Sequence, residues 1–141
     1  VDEETSSWGI DVVSIKRIRN IYENFGEKFL SKIGIEPKDL KIDEISGIFA
    51  AKEAAYKALK PISEFFNPKE IDVLKKKGGA PVISFKGKLK KRWDLLGRPQ
   101  IIVSITHEKE FAFAVVILQK NLKQMGLLKS RKKRRKFKST P

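Results

Sequence analysis

Hydrophobic positions follow two rhythms along this 141-residue chain, and the switches between them mark its elements. Ile10, Val12 and Val13 form a short apolar run with one acid, Asp11, inside it, and predict a buried strand. From residue 14 to about 33, Ile15, Ile18, Ile21, Tyr22, Phe25 and Phe29 recur every three or four positions, the spacing of one helix face. Ser14 stands where an N-cap belongs. Gly34 and Pro37 break the pattern. Asp43 can cap a second helix that runs to about residue 60, where Pro61 stops it. Residues 70–77 alternate as a strand, Gly78 and Gly79 supply a turn, and 82–85 return. A short basic helix over 87–97 offers Trp93, Leu95 and Leu96 as core anchors. Residues 101–107 and 111–118 read as a last hairpin. Strand, helices, hairpin, helix, hairpin is the order of an α+β domain, an antiparallel sheet packed against helices.

Length and composition agree with a single small domain. Residues 8–119 carry it, with 1–7 as an N-terminal extension and 120–141 as a basic, disordered tail. Residues 1–7 are acidic and polar, without the basic and apolar regions of a signal peptide. No apolar run approaches the roughly 20 residues that span a bilayer. Cysteine is absent, which excludes disulfides and thiolate metal sites and fits a cytoplasmic place. The formal net charge is +14, and residues 129–141 hold eight Lys or Arg and no acid, which leaves +6 for the rest. Such a block suits an acidic protein partner or non-specific nucleic-acid binding, or is simply a solvated arm.

The candidate chemistry lies in three segments. In Phe49-Ala-Ala-Lys-Glu-Ala-Ala-Tyr-Lys-Ala-Leu59, Glu53 and Lys57 stand four apart on one helix face. Flanking alanines let a backbone or a ligand come close. A carboxylate beside an ammonium suits a metal-bound phosphate; the plainer alternative is a surface pair worth about 0.2–0.5 kcal/mol. Asp11 sits in an apolar run, where a carboxylate is costly unless paired or metal-bound; otherwise it is a strand-end cap. His107, the only histidine, closes Ser104-Ile-Thr-His107 at a strand end.

Taken in order, these segments resemble the holo-acyl-carrier-protein synthase family of 4'-phosphopantetheinyl transferases. The corresponding residues are Gly9-Ile-Asp-Val-Val13, the segment 49–59, Gly79-Ala-Pro81 with the strand after it, and Ser104 to His107. The likeness runs from about Gly9 to Leu118. Ile48 stands where the family usually has Arg, Ser14 where it often has Glu, and Thr106 where it has Ser.

The resemblance implies an enzyme of fatty acid biosynthesis. It would move 4'-phosphopantetheine from coenzyme A to a serine of an apo acyl carrier protein and release 3',5'-ADP. It implies Mg²⁺ held by Asp11 and Glu53, with Lys57 on a phosphate, so that these three are the catalytic residues. Lys57, Gly79, Pro81, Ser104, Thr106 and His107 would bind coenzyme A, and Arg17 and Ile21 of the first helix would meet the acidic carrier. It also implies a homotrimer. Two other classes stand beside it: a nucleic-acid-binding module using the basic tail, and an interaction scaffold, which has no use for Asp11, Glu53, Lys57 and His107 in this pattern.

Overall fold

The computed structural model describes residues 6–36, 39–61, 65–75 and 78–120. The chain folds as β1 (Ser6–Ser14), α1 (Ile15–Phe25), α2 (Glu27–Lys32), α3 (Ile42–Leu59), β2 (Ile71–Lys75), β3 (Pro81–Phe85), α4 (Gly87–Leu95), β4 (Gln100–His107) and β5 (Phe111–Gln119). A 3₁₀ turn, Pro68–Glu70, precedes β2. Two antiparallel sheets result: β1-β5-β4, and the hairpin β2-β3.

In the larger sheet Asp11 stands opposite Ala114, and Ala114 opposite Ile105. Residues opposite one another share a face, and neighbours along a strand alternate between faces. One face therefore carries Gly9, Asp11, Val13, Ala112, Ala114, Val116, Leu118 and, on β4, Val103, Ile105 and His107. It packs on α3. The other face presents Trp8, Ile10 and Val12, all more than half exposed, with Ile102, Phe111 and Phe113 beside them.

The centre of the domain is α3. Ala50, Ala51, Ala54, Ala55 and Ala58 are all buried to 1% exposure or less. Their small side chains let strands come within backbone contact. At Gly9 a Cβ would overlap the carbonyl oxygen of Ala54, so only glycine fits. The Ser7 hydroxyl then donates to Ala58 O at 2.6 Å. Ser6 and Ser7 thus belong to β1, paired with Gln119 and Leu118, although they fall in the expected 1–7 extension.

Four other expectations change. The first helix is interrupted: Gly26 (φ +56°) ends α1 with its N–H on Tyr22 O, and α2 restarts to bury Phe29 and Leu30. Phe25, at the break, is 62% exposed rather than in the core. Asp43 is not the cap of α3; Lys41 is, and Asp43 lies in the first turn, where a carboxylate suits the positive end of the helix. Leu95 is 82% exposed, because α4 turns Leu89 and Trp93 inward instead. Ser14 does cap α1, accepting from Arg17 N. The tail expected over 120–141 lies, from residue 121 on, outside the described residues, as do Pro37 and the end of the strand expected to reach 77.

Gly9→Ala should destabilise the domain by about 1–3 kcal/mol or more, the cost of overpacking against a backbone that cannot yield. Urea unfolding followed by circular dichroism measures it, and an unchanged midpoint would refute the contact.

Candidate active site

Where β1 crosses α3, four charged side chains gather. Asp11, 7% exposed, comes from the strand. Lys57 comes from the last turn of α3 and reaches across to it, Nζ to Oδ1 at 2.8 Å. The same ammonium donates to Ile10 O at 3.1 Å. Thus Lys57 makes its ion pair with the strand acid, not the helix-surface pair with Glu53 that its spacing offers. An ammonium has three donors. With two of them spent on β1 and the side chain half exposed, the third is left toward solvent.

The other Asp11 oxygen, Oδ2, is buried and has no hydrogen-bond partner. Glu53, half-buried one turn before Lys57, is pushed up from 4.5 to about 7. Burial is the first cause and a side-chain hydrogen bond with Asp11 the second, followed by the Asp11 charge, with Lys57 and Arg17 pulling the other way. Arg17, in the first turn of α1, is therefore within electrostatic reach of the pair. Two carboxyls thus meet here, and without a cation between them they share a proton, which is what holds Glu53 toward its neutral form. Among the described residues no third His, Cys, Asp or Glu joins them. Two protein carboxylates with open positions beside them suit Mg²⁺, which prefers oxygen ligands and keeps several waters.

The remaining site residues expected from sequence lie apart within one chain. His107 Nε2 is 3.7 Å from Asp43 Oδ2, in the first turn of α3. Asp43 and Glu53 are ten residues apart, about 15 Å along the helix axis. Ser104 and Thr106 point to the opposite sheet face, that of Ile10 and Val12. Gly79 and Pro81 belong to the turn and start of the separate β2-β3 hairpin. Arg17 is exposed on α1 and Ile21 is partly buried against the core, while Ile18 is core.

Lys52 is a buried charge that its alanine-rich surroundings do not announce. Lys52 is 1% exposed, and its ammonium donates to Gly34 O (3.2 Å), Pro68 O (3.0 Å) and Ile71 O (2.6 Å). Burial lowers it to about 8, while Asp72 pulls it up. It ties three distant segments to α3 directly beside Glu53. The signal was available: Ile45, Ile48, Lys52, Ala55 and Leu59 form one stripe at helical spacing, with a lysine in the middle of it.

Comparison with known proteins shows the family. Residues 7–116 match the family model described as the 4'-phosphopantetheinyl transferase superfamily. A holo-[acyl-carrier-protein] synthase of Campylobacter hominis is 41% identical over 121 residues, covering 79% of this chain and 95% of that one. That of Maridesulfovibrio salexigens is 35% identical, covering 79% and 96%. Among solved structures, the Helicobacter pylori holo-[acyl-carrier-protein] synthase in complex with coenzyme A superposes with a TM-score of 0.67 at 36% identity, over 79% of this chain and 99% of that one.

The raised Glu53 has a consequence for stability. Its folded-state value, about 7, exceeds its ordinary 4.5, so the folded protein holds this proton more tightly than the unfolded one. The contribution is full below about pH 4.5 and is lost as pH rises through about 7. In chelator-treated protein, Glu53→Gln should remove the fall in melting temperature over that window. An identical pH profile in both proteins would show that Glu53 is not perturbed.

Proposed function

The chain belongs to the 4'-phosphopantetheinyl transferase superfamily and is a phosphopantetheinyl transferase; from that premise we propose the reaction in detail. It moves the 4'-phosphopantetheine group from coenzyme A to a serine of an apo acyl carrier protein, depends on Mg²⁺, and releases 3',5'-ADP. The observation that carries the reading is the meeting of two carboxyls, the buried Asp11 and the raised Glu53, with the Lys57 ammonium beside them. These two residues would hold the cation. When bound, it would neutralise charge that develops on the pyrophosphate.

The chain's own residues supply the rest. In phosphoryl transfer most of the catalysis is positioning and charge neutralisation. Lys57, fixed by Asp11 and the Ile10 carbonyl, turns its remaining donor to a phosphate oxygen. Glu53, or a water beside it, accepts the serine proton.

His107, Ser104, Thr106, Gly79 and Pro81 serve coenzyme A, and Arg17 and Ile21 meet the acidic carrier. We place the coenzyme between copies of a homotrimer. Two features support this. Ser104 and Thr106 lie on the sheet face away from Asp11 in the same chain, and that face exposes Trp8, Ile10 and Val12. No helix among the described residues is long and apolar enough to cross a membrane, and we assign the enzyme to the cytoplasm. The nucleic-acid alternative rested on 129–141, outside the described residues, and no comparison favours it.

Asp11→Ala and Glu53→Ala should each lower transfer by about a hundredfold or more, the scale of losing a group that meets developing charge. Mass spectrometry of the carrier after incubation with coenzyme A and Mg²⁺ reads it directly. Full turnover in both variants would sink the assignment.

Lys57→Ala should weaken coenzyme A binding in calorimetry. The loss should be at least about tenfold, as for a charge-assisted hydrogen bond worth about 1.5–3 kcal/mol. An unchanged affinity would return Lys57 to a purely structural role toward Asp11.

A further inference from the structure

Between the end of α3 and α4 lies a cleft of about 500 Å³ that contains none of the residues assigned above. Tyr56 and Leu89 line it, and Phe65 and Leu95 flank it, each of the latter 82% exposed. Large apolar groups left this open on a small domain often mark a binding surface. The cleft's charge is uneven. Lys88, Lys91 and Arg92 face one acid, Glu70. That acid is engaged: its Oε2 accepts from Leu89 N at 3.0 Å and caps the start of α4. Arg92 is held in place by Leu59 O (3.0 Å) and Lys60 O (3.1 Å). Lys88 and Lys91 form no hydrogen bond or ion pair among the described residues. Their spacing, with Leu95 four residues further, sets two uncommitted cations and an exposed leucine on one stripe of α4.

We propose that this cleft binds an amphipathic anion: a small molecule with a single anionic head and an unbranched apolar chain, of the fatty-acid kind. The head pairs with Lys88 and Lys91. The chain lies between Phe65 and Leu95 over Tyr56. A volume of this size is that of a small-ligand pocket. A free inorganic anion would leave Phe65 and Leu95 uncovered, and a neutral hydrocarbon would leave both lysines unanswered. The inference stands apart from the phosphopantetheine-transfer reading and does not depend on it.

The test is calorimetric titration of the full 141-residue chain with dodecanoate below its micelle concentration. Saturable binding is expected. The double variant Lys88→Glu/Lys91→Glu, and separately Leu95→Asp, should each weaken it at least about tenfold, the scale of a 1.4 kcal/mol change. All three positions are exposed, so circular dichroism should show the fold intact. Dodecyltrimethylammonium, the same chain with a cationic head, should not bind. Undiminished affinity in either variant would place the anion elsewhere, residues 129–141 included, and overturn the proposal. So would absence of saturable binding, or equal binding of the cationic amphiphile.

Discussion

Everything else in this domain depends on how closely β1 approaches α3. The contact is between backbones. Gly9 lies against the carbonyl of Ala54, and the Ser7 hydroxyl closes on Ala58 O one turn later. Such an approach needs glycine on the strand and alanine on the helix together. Gly47 repeats the device nearer the start of α3, where a Cβ would come 2.8 Å from Ile105 of β4. The apolar area gained per residue is modest, because alanine offers little. What the arrangement gives is precision: a helix seated directly on a sheet has few ways to slide, and interiors packed this tightly resist displacement.

Precision at that contact is what lets charge be buried there. Asp11 is next but one to Gly9, on the same face, so the approach that excludes a Cβ at Gly9 also takes the carboxylate out of water. Lys57 answers one of its oxygens and leaves the other. Lys52, one turn and a third earlier on α3, shows the opposite treatment of a buried charge. Its ammonium finds three backbone carbonyls and lacks nothing. One buried ion is satisfied by backbone and holds the scaffold, while the other, on β1, is answered by side chains of α3, Lys57 and Glu53. A charge buried among so few partners is costly.

Much of this was legible in the sequence, for identifiable reasons. The helices and the hairpins follow from apolar spacing and from Ser14, Pro61 and the Gly78-Gly79 pair. The Asp11–Glu53–Lys57 group followed from motif order. What could not be read was which partner each charge would take. Spacing alone pairs Lys57 with Glu53, four residues away; only the tertiary contact reveals Asp11 as the partner. Lys52 hid for a related reason, since a lysine in an alanine-rich helix reads as surface until three carbonyls are seen around it. The misplacements of Phe25 and Leu95 have a common source. Helical periodicity projects a stripe past the point where the helix ends, and both residues sit at the last turn, where Gly26 and the Leu96–Gly97 turn redirect the chain.

The alternation of β4 carries a further constraint on how one chain can use its motifs. In Ser104-Ile-Thr-His107, consecutive residues point to opposite faces, so the motif cannot act as a unit within one protomer. Ile105 and His107 face α3; Ser104 and Thr106 face outward with Ile10 and Val12. Any strand at a domain surface splits a contiguous motif in this way, one set of residues inward and the other outward. Of the inward half, Ile105 packs on Gly47, while His107, still half exposed, stands by Asp43 at the head of α3. The outward half is free of the fold's demands. Ser104 and Thr106 therefore share the outer face with the exposed Trp8, Ile10 and Val12.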